Sequence, residues 1–424
     1  MKIIEIKDNQ FLQSFLNRNN YEEVEEIDEK VDKILAKVEK EGDQALLFFT
    51  EQFDHVSLQN IKVTEKEIEQ ALQEVEEDFL KVLQEAKENI WQFHQKQMQN
   101  SWFFNKEESI TLGQKISPIE RVGIYVPGGK AAYPSTVLMD AIPAKVAGVS
   151  SISMVTPPGK DGKIHPNILA AAKISGVDEI YKVGGAQAIA ALTFGTESIK
   201  PVSKIVGPGN IFVARAKRKV FGYVDIDMIA GPSEICIIAD EKAKQEFVAA
   251  DLLSQAEHDE LACSILITPS LEFAKSVKRE VEEQLKQLKR KEIAQKSIEN
   301  YGAIIIVDSI EQAFTLSNEI APEHLEILLE NPFAYLSKVK NAGAIFLGSY
   351  SPEPLGDYFA GPNHTLPTSR TAKFSSPLGV DDFIKKSSII YYKKNDLEKV
   401  KDKIIFFTEK EGLEGHGNSI KVRF

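Results

Sequence analysis

Four residues of the chain have the types and positions that could hold a metal ion. Gln255 and His258 stand three apart at the end of a predicted helix, so both side chains can face one point. Asp357 follows in a long loop, and His416 lies in the C-terminal tail between glycines. Histidine nitrogens and carboxylate oxygens suit zinc, whereas a carboxamide is a weaker ligand that substrate could displace. Because these residues are scattered along the chain, ordinary capped or surface histidines remain an alternative to the metal site.

The other histidines of the chain fall into two groups. His324 follows Glu323 directly and precedes an apolar strand, while His364 lies in the long loop close to Asp357. Three further histidines have polar neighbours without acidic or amide partners in helical register. We expect these to be surface residues: His55, His94 and His165.

Glycines cluster at the ends of predicted strands. Open α/β sheets bind ligands there, because the backbone can approach closely and helix N-termini point inward. None of the clusters is a GxGxxG motif, and tight turns without a ligand remain an equal alternative. The three loops are Pro127-Gly128-Gly129, Gly184-Gly185-Ala186-Gln187 and Gly207-Pro208-Gly209-Asn210.

From Arg121 onward, strands and helices alternate, which predicts parallel, doubly wound sheets. The first series has strands Val122–Val126, Ile152–Val155, Glu179–Val183 and Ser203–Val206, with helices Ser135–Val149, Pro166–Ile174, Ala186–Leu192 and Phe212–Val220. The second has strands Ile235–Ala239, Cys263–Thr268, Ala303–Val307 and Ala344–Leu347, with helices Ala243–Glu257, Leu271–Leu288 and Ile310–Asn318.

The remaining parts of the chain differ from these two series. The first hundred residues are acidic and helical, with a capping box predicted at Thr64–Glu67 and a glycine stop at Gly42. The stretch 348–380 lacks periodicity and is long enough to be a functional loop. The tail is predicted to contain strand Ile389–Tyr392 and a helix near Leu397–Lys410. The apolar helical stripe near the N-terminus is formed by Val24, Ile27, Val31, Ile34 and Val38.

Composition restricts the class of protein. The 424 residues are 43% hydrophobic and 27% charged, which is typical of a globular protein. A net charge of −12 argues against binding nucleic acid. Cys236 and Cys263 are predicted to be buried small residues in a reducing compartment. Since no apolar run could span a membrane and no signal peptide is evident, we expect no membrane partner and a cytoplasmic location.

Several long motifs of the chain resemble those of the histidinol dehydrogenase family. They occur in the family's order over about residues 20–420. The motifs are Gly184-Gly185-Ala186-Gln187-Ala188, Gly207-Pro208-Gly209-Asn210, Ala230-Gly231-Pro232-Ser233-Glu234, Ser254-Gln255-Ala256-Glu257-His258, Ala321-Pro322-Glu323-His324, Gly356-Asp357-Tyr358, Gly361-Pro362-Asn363-His364 and Glu411-Gly412-Leu413 with His416. Two positions depart from the family's usual pattern: Gly415 replaces alanine, and Ser369-Arg370 replaces a glycine-containing turn.

Pattern and resemblance together predict an α/β fold of two Rossmann-like parallel-sheet domains, with a helical N-terminal segment and a small C-terminal tail domain. The expected division has an N-terminal arm at 1–20, a discontinuous first α/β domain at 21–124 and 234–380, a second α/β domain at 125–233, and a tail domain at 381–424. The family's intertwined dimers imply a homodimer with shared active sites. His416 of the partner subunit would then complete each site.

The resemblance implies two NAD-dependent oxidations of L-histidinol, through L-histidinaldehyde to L-histidine, which is the last step of histidine biosynthesis. It also implies one zinc ion per site, with the ligands Gln255, His258, Asp357 and His416. The substrate contacts would be these four residues together with Ser233, His324 and Glu411. The NAD contacts would be Tyr125, Gln187 and Asn210, and the catalytic residues Glu323 and His324.

Physical roles follow for the implied catalytic pair. His324 would remove the hydroxyl proton as hydride leaves, since a base with a pKa near neutrality is needed. Glu323 would activate the water that attacks the aldehyde. Two functions from other classes remain open on the residues alone. One is a zinc hydrolase that uses Glu323 as base and needs no NAD; the other is a binding protein without turnover.

Overall fold

The computed structural model describes residues 1–5, 22–128 and 132–424. Most of the predicted N-terminal arm and Gly129 of the first glycine loop lie outside the described residues. The chain forms two compact units. The larger unit comprises Met1–Gln97 and Glu120–Phe383, and the smaller comprises Met98–Ile119 and Ile384–Phe424. The division of the larger unit into two α/β domains stays a prediction.

The secondary structure of the described residues is as follows. The strands are β1 (Lys2–Glu5), β2 (Trp102–Glu107), β3 (Ile110–Pro118), β4 (Arg121–Tyr125), β5 (Ser151–Thr156), β6 (Glu179–Lys182), β7 (Lys204–Val206), β8 (Asp225–Ile226), β9 (Glu234–Ala239), β10 (Cys263–Thr268), β11 (Ala303–Ile306), β12 (His324–Leu328), β13 (Ala344–Leu347) and β14 (Ile384–Tyr392). The helices are α1 (Glu22–Glu41), α2 (Asp43–Asp54), α3 (Glu65–Glu74), α4 (Glu77–Gln95), α5 (Pro134–Ala147), α6 (Pro166–Ser175), α7 (Gly185–Phe194), α8 (Ile211–Val220), α9 (Gln245–Ala256), α10 (Leu271–Leu285), α11 (Lys291–Tyr301), α12 (Ile310–Ile320), α13 (Glu353–Tyr358), α14 (Lys394–Glu411) and α15 (Glu414–Lys421). Short 3-10 helices cover Pro332–Lys338, Thr371–Lys373 and Val380–Phe383.

The first sheet of the larger unit has five parallel strands in the order β6-β5-β4-β7-β8. The strand order reverses between β4 and β7, which makes this point the switch at which doubly wound sheets open a crevice beyond their carboxyl ends. β4 ends at Tyr125, and the loop after β7 begins at Gly207. The fold therefore brings two of the predicted ligand loops to the same crevice.

The second sheet of the larger unit has six parallel strands in the order β1-β11-β10-β9-β12-β13. Its central strands β9, β10 and β12 are buried throughout, as expected for a sheet covered on both faces. Cys236 in β9 and Cys263 in β10 are buried and form no disulfide, which confirms their prediction as buried residues. With both parallel sheets in place, the predicted α/β class is confirmed.

The N-terminal helices of the larger unit pack through apolar stripes. Val31, Ile34 and Val38 of α1 are buried, and the helix stops at Gly42, whose φ of +55° suits glycine. Thr64 forms the predicted capping box with Glu67 at the start of α3.

The prediction of His94 as a surface residue is wrong. This side chain in α4 is completely buried, and its Nδ1 atom lies 2.8 Å from the carbonyl oxygen of Ile90. Ala86, Ile90 and His94 follow one another at four-residue spacing and therefore share the buried face of the helix. The surface prediction failed because the residues next to His94 in the sequence are exposed. His55 and His165 are exposed, as expected.

The smaller unit is built on an antiparallel sheet in the order β14-β3-β2, with α14 and α15 following in the chain. The predicted tail strand is longer than expected, because β14 begins at Ile384. Strands β2 and β3 had no sequence prediction. Among the described residues, no helix combines the length and apolar composition needed to cross a bilayer.

Candidate metal and coenzyme sites

The predicted catalytic pair lies at the amino edge of the six-stranded sheet. His324 is the first residue of β12 and pairs with Ile235 of β9. Its Nδ1 atom lies 3.0 Å from the carbonyl oxygen of Glu234, and Oε2 of Glu323 accepts a 2.8 Å hydrogen bond from the Glu234 amide. One residue of β9 thus holds both side chains through its main chain.

Both members of this pair are nearly inaccessible to solvent, so they influence each other's ionisation strongly. Burial raises the pKa of Glu323 to about 8, although the neighbouring His324 opposes this shift. Burial disfavours a charge on His324, but Glu323 and Asp357 outweigh it and raise the histidine's pKa to about 10. Each of the two groups therefore holds its proton more tightly than the free side chain does.

Gln255 lies in the last turn of α9 and is completely buried. Neither its carboxamide oxygen nor its nitrogen has a hydrogen-bond partner among the described residues. A buried amide without partners is costly, so this side chain is suited to a ligand that the protein chain does not supply. His258 follows at the helix end, where its side chain is exposed. Although the side chain reaches solvent, the protein around it displaces enough water to lower the pKa of His258.

Helix α13 presents Glu353 and Asp357 four residues apart, so both carboxylates lie on one helix face. One ligand atom from each of Glu353, Asp357 and His258 falls within 4.8 Å of the others, an arrangement that could hold a metal ion. Burial raises the pKa of Glu353 to about 7, and its Oε2 atom accepts a 3.0 Å hydrogen bond from Ser254. Sequence reasoning missed Glu353. The sequence did contain a signal for it, because Glu353 and Asp357 are four residues apart, as on one face of a helix. The segment was interpreted as a loop, so this spacing was not used.

The carboxylate of Asp357 connects this cluster to the predicted base. The Nε2 atom of His324 lies 3.8 Å from Oδ1 of Asp357 and has no hydrogen-bond partner among the described residues. Burial opposes a charge on Asp357, yet the nearby histidines hold its pKa below the ordinary value. Asp357 therefore loses its proton more readily than a free aspartate does.

A cavity of about 1100 Å³ lies at the carboxyl edge of the five-stranded sheet. All three residues expected to contact NAD line it: Tyr125, Gln187 and Asn210. The Tyr125 hydroxyl accepts a 3.1 Å hydrogen bond from the Gly185 amide at the start of α7, and Asn210 caps α8 by accepting from Val213 at 3.2 Å. Two helix N-termini therefore meet this cavity, an arrangement that favours anionic groups.

The remaining predicted site residues lie in two places. Ser233 is partly buried immediately before β9, where its carbonyl accepts a 2.9 Å hydrogen bond from Cys263. Glu411 and His416 belong to the smaller unit, at the end of α14 and within α15, and both are exposed. Of the expected zinc ligands, the larger unit therefore brings His258 and Asp357 close together, and Gln255 lies three residues before His258 in the chain.

Comparison with known proteins identifies the family. Residues 17–424 match the family model described as histidinol dehydrogenase. The chain belongs to the histidinol dehydrogenase family. It is 59% identical to histidinol dehydrogenase of Clostridium acetobutylicum over 98% of this chain and 96% of the relative, and 56% identical to that of Listeria monocytogenes over 100% and 99%. The crystal structure of histidinol dehydrogenase from Elizabethkingia anophelis superposes with a TM-score of 0.94 at 40% identity, covering 100% of this chain and 98% of that one.

Family membership settles the class of activity. The protein is an oxidoreductase, a dehydrogenase of histidine biosynthesis. The hydrolase and the non-catalytic binding protein that the residues alone left open are therefore set aside.

Proposed function

We propose that the protein oxidises L-histidinol in two NAD-dependent steps, through L-histidinaldehyde to L-histidine, at a zinc-containing site. One observation carries this proposal. The free Nε2 atom of His324 lies 3.8 Å from Asp357, a carboxylate of the candidate metal cluster. A base and a cation site are thus side by side, as needed if a bound substrate is to lose a proton and a hydride.

The zinc ligands in this proposal are Gln255, His258, Asp357 and His416. The residues of the larger unit fit the metal, because a nitrogen, a carboxylate and an unsatisfied buried carboxamide match the ligands that zinc accepts. If bound by these residues, zinc would supply a positive charge that attracts and orients the nitrogen donors of histidinol. Glu353 is a further candidate for this shell, since it faces the same point as Asp357.

The coenzyme in this proposal occupies the cavity lined by Tyr125, Gln187 and Asn210. Its position at the switch point of a doubly wound sheet is where nucleotide coenzymes bind in such folds. The buried Oε1 atom of Gln187 lacks a hydrogen-bond partner among the described residues, as does Oδ2 of Asp54 in the cavity wall. These two acceptors suit the amide and hydroxyl donors of NAD.

His324 acts as the base for hydride transfer in this proposal. Because Nδ1 faces the Glu234 carbonyl, a neutral imidazole keeps its proton there and leaves the lone pair of Nε2 available. Asp357 is one of the groups that favour protonation of His324, and this effect weakens when a cation engages the carboxylate. His324 can then take the hydroxyl proton as hydride leaves the carbinol carbon.

Glu323 serves the second step in this proposal. The aldehyde must add water before it can lose another hydride, and the proton of that water needs an acceptor. Glu323 is fixed by the Glu234 amide and has a pKa raised to about 8 by burial, which strengthens it as a base once it is ionised. Ser233 and Glu411 are proposed to contact the substrate.

We also propose a homodimer in which His416 of the partner subunit completes each site. The smaller unit exposes an unusual number of large apolar side chains for a surface in water, and such surfaces are usually covered by a partner. These side chains include Trp102, Phe103, Phe104, Ile390, Tyr391, Phe406 and Phe407. A cytoplasmic location, consistent with two buried thiols outside disulfides, belongs to the same proposal.

A single assay tests the proposed function. NADH absorbance is followed after histidinol and NAD are added, with and without a chelator, for the wild type and His258→Asn. We expect NADH from the wild type, loss of turnover with chelator, and loss of both zinc and turnover in the variant. A full zinc equivalent in purified His258→Asn would exclude His258 as a ligand. NADH formation that no chelator affects would reject the metal requirement.

A further inference from the structure

Helix α5 contains a proline that leaves one of its carbonyls without a helical donor. Pro143 lies inside the helix, and proline has no amide hydrogen. In a regular helix the amide of residue 143 would donate to the carbonyl of Met139, four residues earlier. Met139 is completely buried, so water cannot replace the missing donor.

Asn363 supplies the missing donor from a distant part of the chain. Its Nδ2 atom donates to the Met139 carbonyl at 2.6 Å, and its Oδ1 atom accepts from the Thr365 amide at 2.8 Å. The hydroxyl of Thr365 donates to the next residue of the helix, Asp140, at 3.0 Å. Two consecutive residues of α5 thus anchor the segment Asn363–Thr365.

The anchored segment in turn supports the metal cluster. His364, between the two anchoring residues, places Nδ1 3.0 Å from the carbonyl oxygen of Asp357. The chain between them is held from another side, because Asn89 of α4 donates to the Phe359 carbonyl at 2.9 Å. His364 therefore fixes the main chain of Asp357. This in turn restricts where the carboxylate of Asp357 can lie.

We propose that Asn363 is a positioning residue for the metal site and that it acts through the carbonyl freed by Pro143. The inference rests on the proposed zinc site, of which Asp357 is a ligand. Asn363 touches neither the metal nor substrate in this arrangement. Its effect on zinc passes through Thr365, His364 and the main chain of Asp357.

A double-mutant cycle separates positioning from simple structural support. The variants are Asn363→Ala, Pro143→Ala and the double variant, all in the full-length chain. In the Pro143→Ala background, residue 143 regains an amide that can donate to Met139, so the carbonyl stays satisfied when Asn363 is removed. The two readouts are the urea midpoint of the metal-free protein and the affinity for zinc, measured by competition with a chelator.

We expect Asn363→Ala to lower both the urea midpoint and the zinc affinity, the latter by about 10-fold or more, as for outer-shell partners of metal ligands. In the double variant, where the amide of residue 143 can satisfy Met139, the midpoint should return toward that of Pro143→Ala, yet the zinc affinity should stay as low as in Asn363→Ala. Should Asn363→Ala alone fail to fold, the comparison of the double variant with the wild type still measures the zinc effect.

Two results would overturn the inference. One is a zinc affinity that recovers together with the midpoint in the Pro143→Ala background, since this would mean that Asn363 only satisfies a buried carbonyl. The other is unchanged zinc affinity in Asn363→Ala while the wild type binds one equivalent. If the wild type itself binds no zinc, the proposed metal site fails, and the positioning role fails with it.

Discussion

At the residue scale, Glu323 and His324 are neighbours in sequence but have different tasks in the proposed reaction. Both are held by the main chain of Glu234, so a substitution that keeps their shape should leave the surroundings in place. In the proposed reaction, only the second oxidation consumes water, whereas both oxidations release hydride. The two side chains can therefore be separated by the step at which each is needed.

We predict that Glu323→Gln slows oxidation of histidinaldehyde far more than oxidation of histidinol, by about 100-fold or more for a lost general base. His324→Asn should slow both reactions, because hydride leaves in each. The measurement is the steady-state rate of each variant with each substrate at saturating NAD. Equal losses on both substrates for Glu323→Gln would reject its role in activating water.

The turn at Ser369 and Arg370 shows how the chain keeps a glycine-like conformation without glycine. Their φ angles are +53° and +68°, in the left-handed region where glycine carries no steric cost. Next to this turn, Thr368 accepts a 2.6 Å hydrogen bond from Gly231 in the motif that leads to Ser233. The turn thus places two non-glycine residues in a conformation that glycine adopts most readily.

At the scale of elements, the other departure from the family pattern, Gly415, lies in the short helix α15, where its effect on stability can be tested. A methyl group added at Gly415 would meet nothing within 4 Å, and its backbone is not in the left-handed region. We predict that Gly415→Ala stabilises the chain by about 0.5–1 kcal/mol, because alanine has the higher helix propensity.

The matched control for this substitution is Gly417→Ala in the same helix. There the new methyl would lie 2.7 Å from Oγ1 of Thr408, so destabilisation is expected instead. Urea unfolding of the full-length variants, followed by circular dichroism, gives both values. A loss of stability in Gly415→Ala would contradict the geometry of α15 described above.

A carboxylate at the edge of the five-stranded sheet, paired with two cations, should make the stability of the protein depend on pH. Glu179 at the start of β6 pairs with Arg121 of β4 and, at 2.9 Å, with Lys62. Burial opposes its charge, but hydrogen bonds from these two cations lower its pKa to about 2. A carboxyl group whose pKa is depressed on folding stabilises the native state above its unfolded pKa, and this stabilisation disappears as pH falls toward 2.

We therefore predict that Glu179→Gln lowers the free energy of unfolding at pH 7 by on the order of 1–2 kcal/mol, after allowance for solvent screening. The difference from the wild type should shrink between about pH 4.5 and 2. Urea unfolding at several pH values measures it, with Glu241→Gln at an exposed position as control. A difference independent of pH would show that packing, rather than charge, is responsible.

Sequence reasoning predicted the periodic elements well and the contacts between distant elements poorly. β10 and β13 have their predicted bounds, because apolar strands between clear turns leave little ambiguity. β2 lacks such a pattern, since all six of its residues are exposed. Glu353 joins the cluster only because α13 packs near α9, which no local pattern records. The resemblance supplied the expected ligands, and the structure added Glu353.

The candidate sites lie at opposite edges of the two parallel sheets. The cavity expected to hold NAD lies at the carboxyl ends of the five-stranded sheet, as doubly wound folds generally arrange. Glu323, His324 and the end of α9 lie at the amino edge of the six-stranded sheet. The general rule for sheet edges therefore predicts the coenzyme loops from sequence but not the metal cluster.

At the scale of the whole molecule, the proposed shared site makes a prediction about mixed dimers. Chains carrying His258→Asn and chains carrying His416→Asn should each be inactive alone. In a heterodimer with shared sites, one site collects both substitutions and the other has none. Random pairing makes about half of the dimers heterodimers with one intact site of two, so activity should recover to roughly a quarter of wild type.

The control for this experiment is a measure of subunit exchange that does not depend on activity. If His416 acts within its own chain, every site in every dimer keeps one lesion. Mixtures that verifiably exchange subunits and yet stay inactive would therefore refute the shared site.

The burial of both native thiols makes it practical to measure subunit exchange with a fluorescent label. Cys236 and Cys263 are inside the six-stranded sheet, and burial raises the pKa of Cys236 well above its ordinary value, so neither should react with maleimide dyes in the folded enzyme. A single cysteine introduced at the exposed Lys421 would then be the only labelling position, without removal of a native residue. Donor- and acceptor-labelled pools would report exchange by energy transfer in the same cuvette that records NADH.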